Sequence, residues 1–148
     1  MNTASKIVMS IEETQQEVIE EFGLFDDWMQ KYEYIIELGK DLPLIEDELK
    51  VDENLIKGCQ SRVWLHPEMK NGSLEFFADS DAIITKGLVA LVIRVISGHS
   101  PKEICEAELN FIEAIGLSDH LSPTRSNGLA SMVKKMKLYA LAFQVKQG

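Results

Sequence analysis

Residues 61–79 read Ser61-Arg62-Val63-Trp64-Leu65-His66-Pro67-Glu68-Met69-Lys70-Asn71-Gly72-Ser73-Leu74-Glu75-Phe76-Phe77-Ala78-Asp79, and this stretch sets the fold class. Runs of β-formers flank Asn71-Gly72, a dipeptide suited to a tight hairpin turn. An antiparallel pair over 61–68 and 73–79 is expected. Immediately downstream come Ile83, Ile84, Leu88, Val89, Leu91, Val92, Ile93, Val95 and Ile96. A helix apolar nearly all round must be the buried centre of its domain. Asp79-Ser80-Asp81 offers it N-cap oxygens. Gly87 inside it costs about 1 kcal/mol against alanine, and close approach of another backbone is the expected reason.

Helices are expected on both sides of this unit. Ser10-Ile11-Glu12-Glu13 has the form of a capping box, with a helix to about Phe22, an inner face of Ile11, Val18 and Phe22, and a stop at Gly23. Asp26 is the expected cap of a second helix carrying Trp28, Met29, Tyr32, Ile35 and Ile36, stopped by Gly39. The acidic connection 41–54 contains Pro43 and is expected to hold one short turn, over 45–49. Its carboxylates lack the ligand order of a calcium loop and read as a solvated surface. After Gly98, Ser100-Pro101-Lys102-Glu103 combines a capping box with proline at the first helical position. Short helices around Ile104 and Phe111 follow, then a polar loop over 118–128. A last helix places Leu129, Met132, Val133, Met136, Ala140 and Phe143 on one face. Helices, hairpin, then helices make a single α+β domain over 1–148, with 1–25 as an N-terminal helical extension.

The chain has 148 residues, 45% hydrophobic and 26% charged, with a formal charge of −9. Such a surface repels a phosphate backbone, so no nucleic-acid partner is expected. The most apolar stretch contains Lys86 and Arg94 and is shorter than the ~20 residues a bilayer requires. Met1-Asn2-Thr3-Ala4-Ser5-Lys6 is not a secretory apolar segment. No membrane association, a cytoplasmic location and reduced thiols are expected.

Chemistry concentrates at Ile56-Lys57-Gly58-Cys59-Gln60-Ser61-Arg62-Val63-Trp64. Cys59 follows a glycine in a polar turn at the mouth of the first strand. Gly58 permits a sharp turn. Lys57 and Arg62 are expected to favour the thiolate, and Gln60 and Ser61 to donate hydrogen bonds to it. Cys105 lies in a helical pattern among small and apolar residues and reads as a buried structural thiol. A hydrolase using Cys59 would need a base and an oxyanion hole, and His66, His99 and His120 form no recognisable dyad with it. Two cysteines 46 positions apart give no metal or cluster grammar. A sulfur relay between thiols needs only one reachable cysteine and a docking surface. The alternatives are a cysteine-dependent hydrolase or peroxidase, and a non-catalytic adapter.

Four stretches are familiar together: Tyr32-Glu33-Tyr34-Ile35-Ile36-Glu37-Leu38-Gly39-Lys40-Asp41-Leu42-Pro43; the Cys59 segment; Asp79-Ser80-Asp81-Ala82 through Lys86-Gly87-Leu88; and Leu121-Ser122-Pro123-Thr124-Arg125-Ser126-Asn127-Gly128-Leu129. In this order, from about Trp28 to the last helix, they resemble the SufE family. The resemblance implies a small antiparallel sheet packed on helices, similar to the SufE and IscU type of fold. It implies a sulfur acceptor that takes persulfide sulfur onto Cys59 from a SufS-type cysteine desulfurase, stimulates that enzyme, and relays sulfur to a SufBCD-type scaffold for iron–sulfur cluster assembly. The chain itself would then be no enzyme. Pyridoxal phosphate would belong to the desulfurase, so no cofactor and no metal are expected here. Gly58, Gln60 and Ser61 are the supporting loop. Asp79, Asp81 and Arg125 match family motifs and are expected to cap, hold loops or dock rather than catalyse.

Overall fold

A computed structural model of the chain describes residues 9–147 and is α+β; the expectation for Met1 to Lys6 lies outside the described residues. The first helix, α1 (Ile11–Phe22), begins at the capping box. The Glu13 N–H donates to Ser10 Oγ at 3.0 Å and the Ser10 N–H to Glu13 Oε1 at 2.8 Å. Ile11, Val18 and Phe22 are buried in the main core, as their spacing predicts. Gln15 is buried too. Its Oε1 accepts from the Asn110 and Phe111 N–H groups and its Nε2 donates to Glu108 O, fastening α1 to a segment far along the chain.

The second helix, α2 (Trp28–Gly39), is capped by Asp27 rather than Asp26. Asp27 is extended and its Oδ1 accepts from the Gln30 N–H, whereas Asp26 uses its own N–H to reach Gln30 Oε1. Gly39 does not stop this helix but belongs to it, with its backbone packed on Gly87. Of the apolar residues at helical spacing in α2, Ile35 is buried, whereas Met29 and Ile36 are exposed. The connection that follows holds two 3-10 turns, Asp47–Leu49 and Asp52–Asn54, instead of one.

The strands are β1 (Val63–Lys70), shifted two residues along from the predicted 61–68, and β2 (Ser73–Ser80), which starts where predicted and runs one residue further. They pair antiparallel from Val63↔Ser80 to Lys70↔Ser73. Asn71 and Gly72 both take positive φ in the turn, 51° and 84°. Val63, Leu65, Leu74, Phe76 and Ala78 form the buried face, which the period-2 geometry of a strand places together.

That face rests on α3 (Ile83–Ile96), buried continuously from Gly87 to Ile93. Its N-cap is Ala82, with no side-chain cap bond. The expected caps are used elsewhere, because Asp79 and Asp81 serve ion pairs and a loop. Gly87 has the close neighbour predicted for it: a Cβ there would stand 2.1 Å from Ile35 O. Only glycine lets α2 approach this closely.

Three short helices follow: α4 (Pro101–Glu106), α5 (Phe111–Ala114) and α6 (Leu117–His120), and then the long α7 (Pro123–Gln147). The Ser100 capping box and Pro101 start α4 as expected. The polar loop expected over 118–128 is instead α6 and the beginning of α7. Buried Leu117 and Leu121 anchor the run, and Ser122 Oγ, just before Pro123, accepts from the Arg125 N–H. Leu129, Met132, Met136 and Ala140 form the inner face of α7 against α3 and α4, while Val133 and Phe143 are half-buried.

Candidate functional site

The Cys59 loop is a short excursion closed at its base. The Ile56 N–H donates to Val63 O at 2.9 Å, so residues 57–62 bulge out between two paired positions. At the far end, the Arg62 N–H donates to Asp81 Oδ1 at 3.1 Å and the Asp81 N–H to Arg62 O at 3.3 Å. Asp81 thus ties the loop to the end of the hairpin. Gly58 turns the chain with φ 91°, and a Cβ on it would come within 2.7 Å of Ser131 Oγ. The loop backbone therefore lies directly on α7.

This turn aims the next side chain inward. Cys59 is half-buried, and its thiol donates to Gly128 O with Sγ 3.6 Å from the oxygen. Gly128 leaves room for it: a Cβ at that position would be 3.3 Å from Sγ. Beside the sulfur is a cavity of about 50 Å³. Leu88 and Met132 give it apolar walls, Thr85 and Arg125 add polar ones, and Gln60 and Ser61 close the loop side.

Burial pushes the Cys59 thiol above its ordinary pKa. This corrects the expectation of a thiolate favoured by Lys57 and Arg62. Both basic residues are exposed, and neither offsets the desolvation. Gln60 and Ser61 were expected to donate to sulfur; the bond observed instead runs from the thiol to a carbonyl.

Asp79 is a junction. Lys50 Nζ lies 2.7 Å from its Oδ2, Lys86 Nζ 3.3 Å from its Oδ1, and the Ser80 N–H donates to it at 2.8 Å. Burial alone would raise this carboxyl; Lys50, the Ser80 N–H and Lys86 outweigh it and hold Asp79 below the ordinary range. Arg125 stands in the first turn of α7, at the cavity. The histidines are elsewhere. His66 neighbours Glu68 on β1, His99 is buried near Glu103, and His120 stacks on Trp28 with centroids 4.0 Å apart. None lines the Cys59 cavity. Cys105 is half-buried rather than buried, and both cysteines are free thiols. Among the described residues no group of three or more His, Cys, Asp or Glu could hold a metal ion.

Sequence reasoning missed Thr85, Leu88, Gly128 and Met132 as neighbours of the thiol. Their convergence is a long-range event. No local signal marked them: Gly128 falls in the run read as a polar loop, where glycine is ordinary, and only its place inside α7 makes its helical cost the sign of a close contact.

The matched family model is SufE, described as an Fe-S metabolism associated domain, and it spans residues 16–140. The chain belongs to the SufE family. Its relatives include an uncharacterized SufE-like protein of Rhizobium etli, 42% identical over 126 residues, covering 82% of this chain and 85% of that protein. An uncharacterized SufE-like protein of Synechocystis is 38% identical over 130 residues, covering 88% of this chain and 82% of its own length. A solution structure of a hypothetical protein from Thermus thermophilus shares the fold with TM-score 0.73 at 17% identity, covering 87% of this chain and 94% of the other. SufE membership carries Fe-S metabolism as the general setting and a cysteine desulfurase as the general kind of partner. The matched span opens within α1, and no described helix is long and apolar enough to cross a membrane.

Proposed function

We propose that this SufE-family protein is a sulfur acceptor in which Cys59 receives persulfide sulfur from a SufS-type cysteine desulfurase, stimulates that enzyme and passes the sulfur to a SufBCD-type scaffold in the cytoplasm. The observation that carries the reading is one thiol tucked beside a 50 Å³ cavity with no histidine along its lining. Such a site is poorly equipped for hydrolysis, which requires a base and an oxyanion hole. It is adequate for sulfur transfer, because the donor brings the activated sulfur.

The step balances without an oxidant. Cys59, having lost its proton, attacks the terminal sulfur of the donor's persulfide. A new S–S bond forms on Cys59, the donor's S–S bond breaks, and the donor leaves as a thiolate that takes up a proton. The raised pKa of the resting thiol keeps Cys59 protonated until docking moves it away from Gly128. The cavity then offers room for one added sulfur and shelters it from reductants. Gly58 lets the loop swing; Gln60 and Ser61 move with it. Asp81 anchors the loop's far end, Asp79 braces the hairpin, and Arg125 supplies positive charge for a persulfide anion. The chain itself needs no cofactor, since pyridoxal phosphate serves the desulfurase.

Mass spectrometry after incubation with a SufS-type desulfurase and L-cysteine tests this. One sulfur should add to Cys59, be absent from Cys59→Ser and persist in Cys105→Ser. Equal labelling of Cys59→Ser would defeat the assignment.

A further inference from the structure

α7 differs electrostatically from the rest of the molecule. It carries Arg125, Lys134, Lys135, Lys137 and Lys146 and no carboxylate, which leaves ten basic against twenty-four acidic residues for the remainder of the chain. The same helix holds apolar side chains in the open: Leu138 and Leu141 are each 51% exposed and Val145 is 72% exposed. Lys134, Leu138, Leu141 and Val145 recur at intervals of four, three and four, the spacing of a coiled-coil seam.

Furrows lie on both sides of that seam. One, of about 650 Å³, runs between α7 and the α4–α5 region, with Leu109, Ile112 and Val133 along it. The other, of about 700 Å³, lies between α7 and the approach to the thiol loop, where Ile56 and Lys57 meet Lys134 and Lys135. Asp52 and Glu53 line it as well, so its positive charge is concentrated on the α7 side. The seam also touches the site physically, because Ser131 backs Gly58 one turn before Lys134.

We infer that this seam is the docking surface for an acidic amphipathic helix carried by the sulfur donor; the inference rests on the sulfur-acceptor reading above. An apolar stripe on such a helix would fill a furrow and cover Leu138 and Leu141, while its flanking carboxylates would meet the lysines. A second copy of this chain is a poor occupant, since two carboxylate-free basic helices would face each other. An anionic membrane is a poor occupant too: the molecule carries −9, and furrows suit an inserted helix better than a lipid surface. Docking here has a mechanical consequence. α7 provides Gly128 O, the group that holds Cys59 inward, so a partner gripping α7 acts on the element that covers the thiol.

The test uses the full chain with Lys134→Glu and, separately, Leu141→Asp, both at exposed positions. Calorimetric titration with a SufS-type desulfurase at low and high salt should show Kd raised about tenfold or more by each, with the salt dependence reduced for Lys134→Glu. Loading of Cys59 from inorganic polysulfide, which requires no docking, should stay at the wild-type rate. Desulfurase affinity unchanged in either variant would overturn the inference. So would a wild-type dimer abolished by Leu141→Asp, or preferential binding to phosphatidylserine vesicles. If wild-type Cys59 accepts sulfur from the desulfurase but the variants bind normally, the docking surface alone falls. If wild-type Cys59 never acquires sulfur, the acceptor reading falls and takes the docking surface with it.

Discussion

Cys59 is a thiol whose reactivity is restrained by its surroundings. Burial raises its pKa, and the hydrogen bond to Gly128 O favours the protonated form. With a raised pKa, thiolate accumulates only at higher pH than for a free cysteine. Alkylation of Cys59 by iodoacetamide should therefore be slower than in an unfolded peptide at neutral pH, and its pH–rate midpoint should be displaced upward. Alkylation at the peptide's rate and midpoint would refute this. Gly128→Ala offers a sharper check. Its Cβ would press on Sγ at 3.3 Å, and the exposed loop is the side free to give. We expect faster alkylation of Cys59 and a stability loss of only about 1 kcal/mol. Packing turns inward a thiol whose polar neighbours suggest exposure; the Gly58 turn and the place of Cys59 in it were legible because both are local. The thiol's acid–base character was not, because it depends on α3 and α7, which sequence neighbours do not reveal.

Among the secondary-structure elements, the crossing of α2 and α3 is the most demanding contact. A side chain at Gly87 would collide with Ile35 O and C, at 2.1 and 2.7 Å from its Cβ. Both are backbone atoms, so the helices must separate. Gly87→Val should destabilise the fold by about 3 kcal/mol, measured as a lower denaturation midpoint in urea; an unchanged midpoint would show that the crossing yields freely. This close approach was readable from the cost of glycine inside an otherwise apolar helix. Capping was readable where a capping box specified both partners, as at Ser10 and Ser100. It was misread at Asp79 and Asp81, where carboxylates beside a helix start found stronger partners in Lys50, Lys86 and the Arg62 N–H. The start of α7 was missed because Ser122-Pro123 stands in a polar run without a glutamate at the third helical position.

Across the whole molecule, two partly buried ion-pair clusters fasten separate regions. Arg94 donates to Glu21 Oε1 at 2.8 Å and Oε2 at 2.6 Å, and Tyr34 also donates to Glu21, joining α1, α2 and α3. Asp79 joins the 41–54 connection to β2 and α3. The Arg94 hydrogen bond lowers the Glu21 pKa, partly opposed by burial and assisted by Tyr34; Asp79 is lowered as well, despite its burial. A depressed folded-state pKa contributes stability that is present above the unfolded carboxylate value, about 4, and lost as pH falls through the folded value. Thermal unfolding followed by circular dichroism should show wild-type Tm falling through that acidic window. Glu21→Gln with Asp79→Asn should lower stability by about 2 kcal/mol at neutral pH and flatten the acid loss. Self-repulsion of the −9 chain relaxes over the same range, so the difference between variant and wild type is the quantity to read. A constant difference from neutral to acid pH would refute the coupling.

The α+β class, the hairpin turn at Asn71-Gly72, the buried central helix and the exceptional setting of Cys59 were all written in the order of residues. Each follows from local conformational preference or from periodic burial, which neighbouring residues encode. Packing in three dimensions settled the rest: which carboxylates cap and which pair, where the polar run after Gly116 becomes helix, and what surrounds the sulfur. Those outcomes depend on competition among groups distant in the chain. Gly128, Thr85 and Met132 meet Cys59 only after α3 and α7 have packed, and that packing turns a cysteine in a polar turn into a sheltered thiol beside a small cavity.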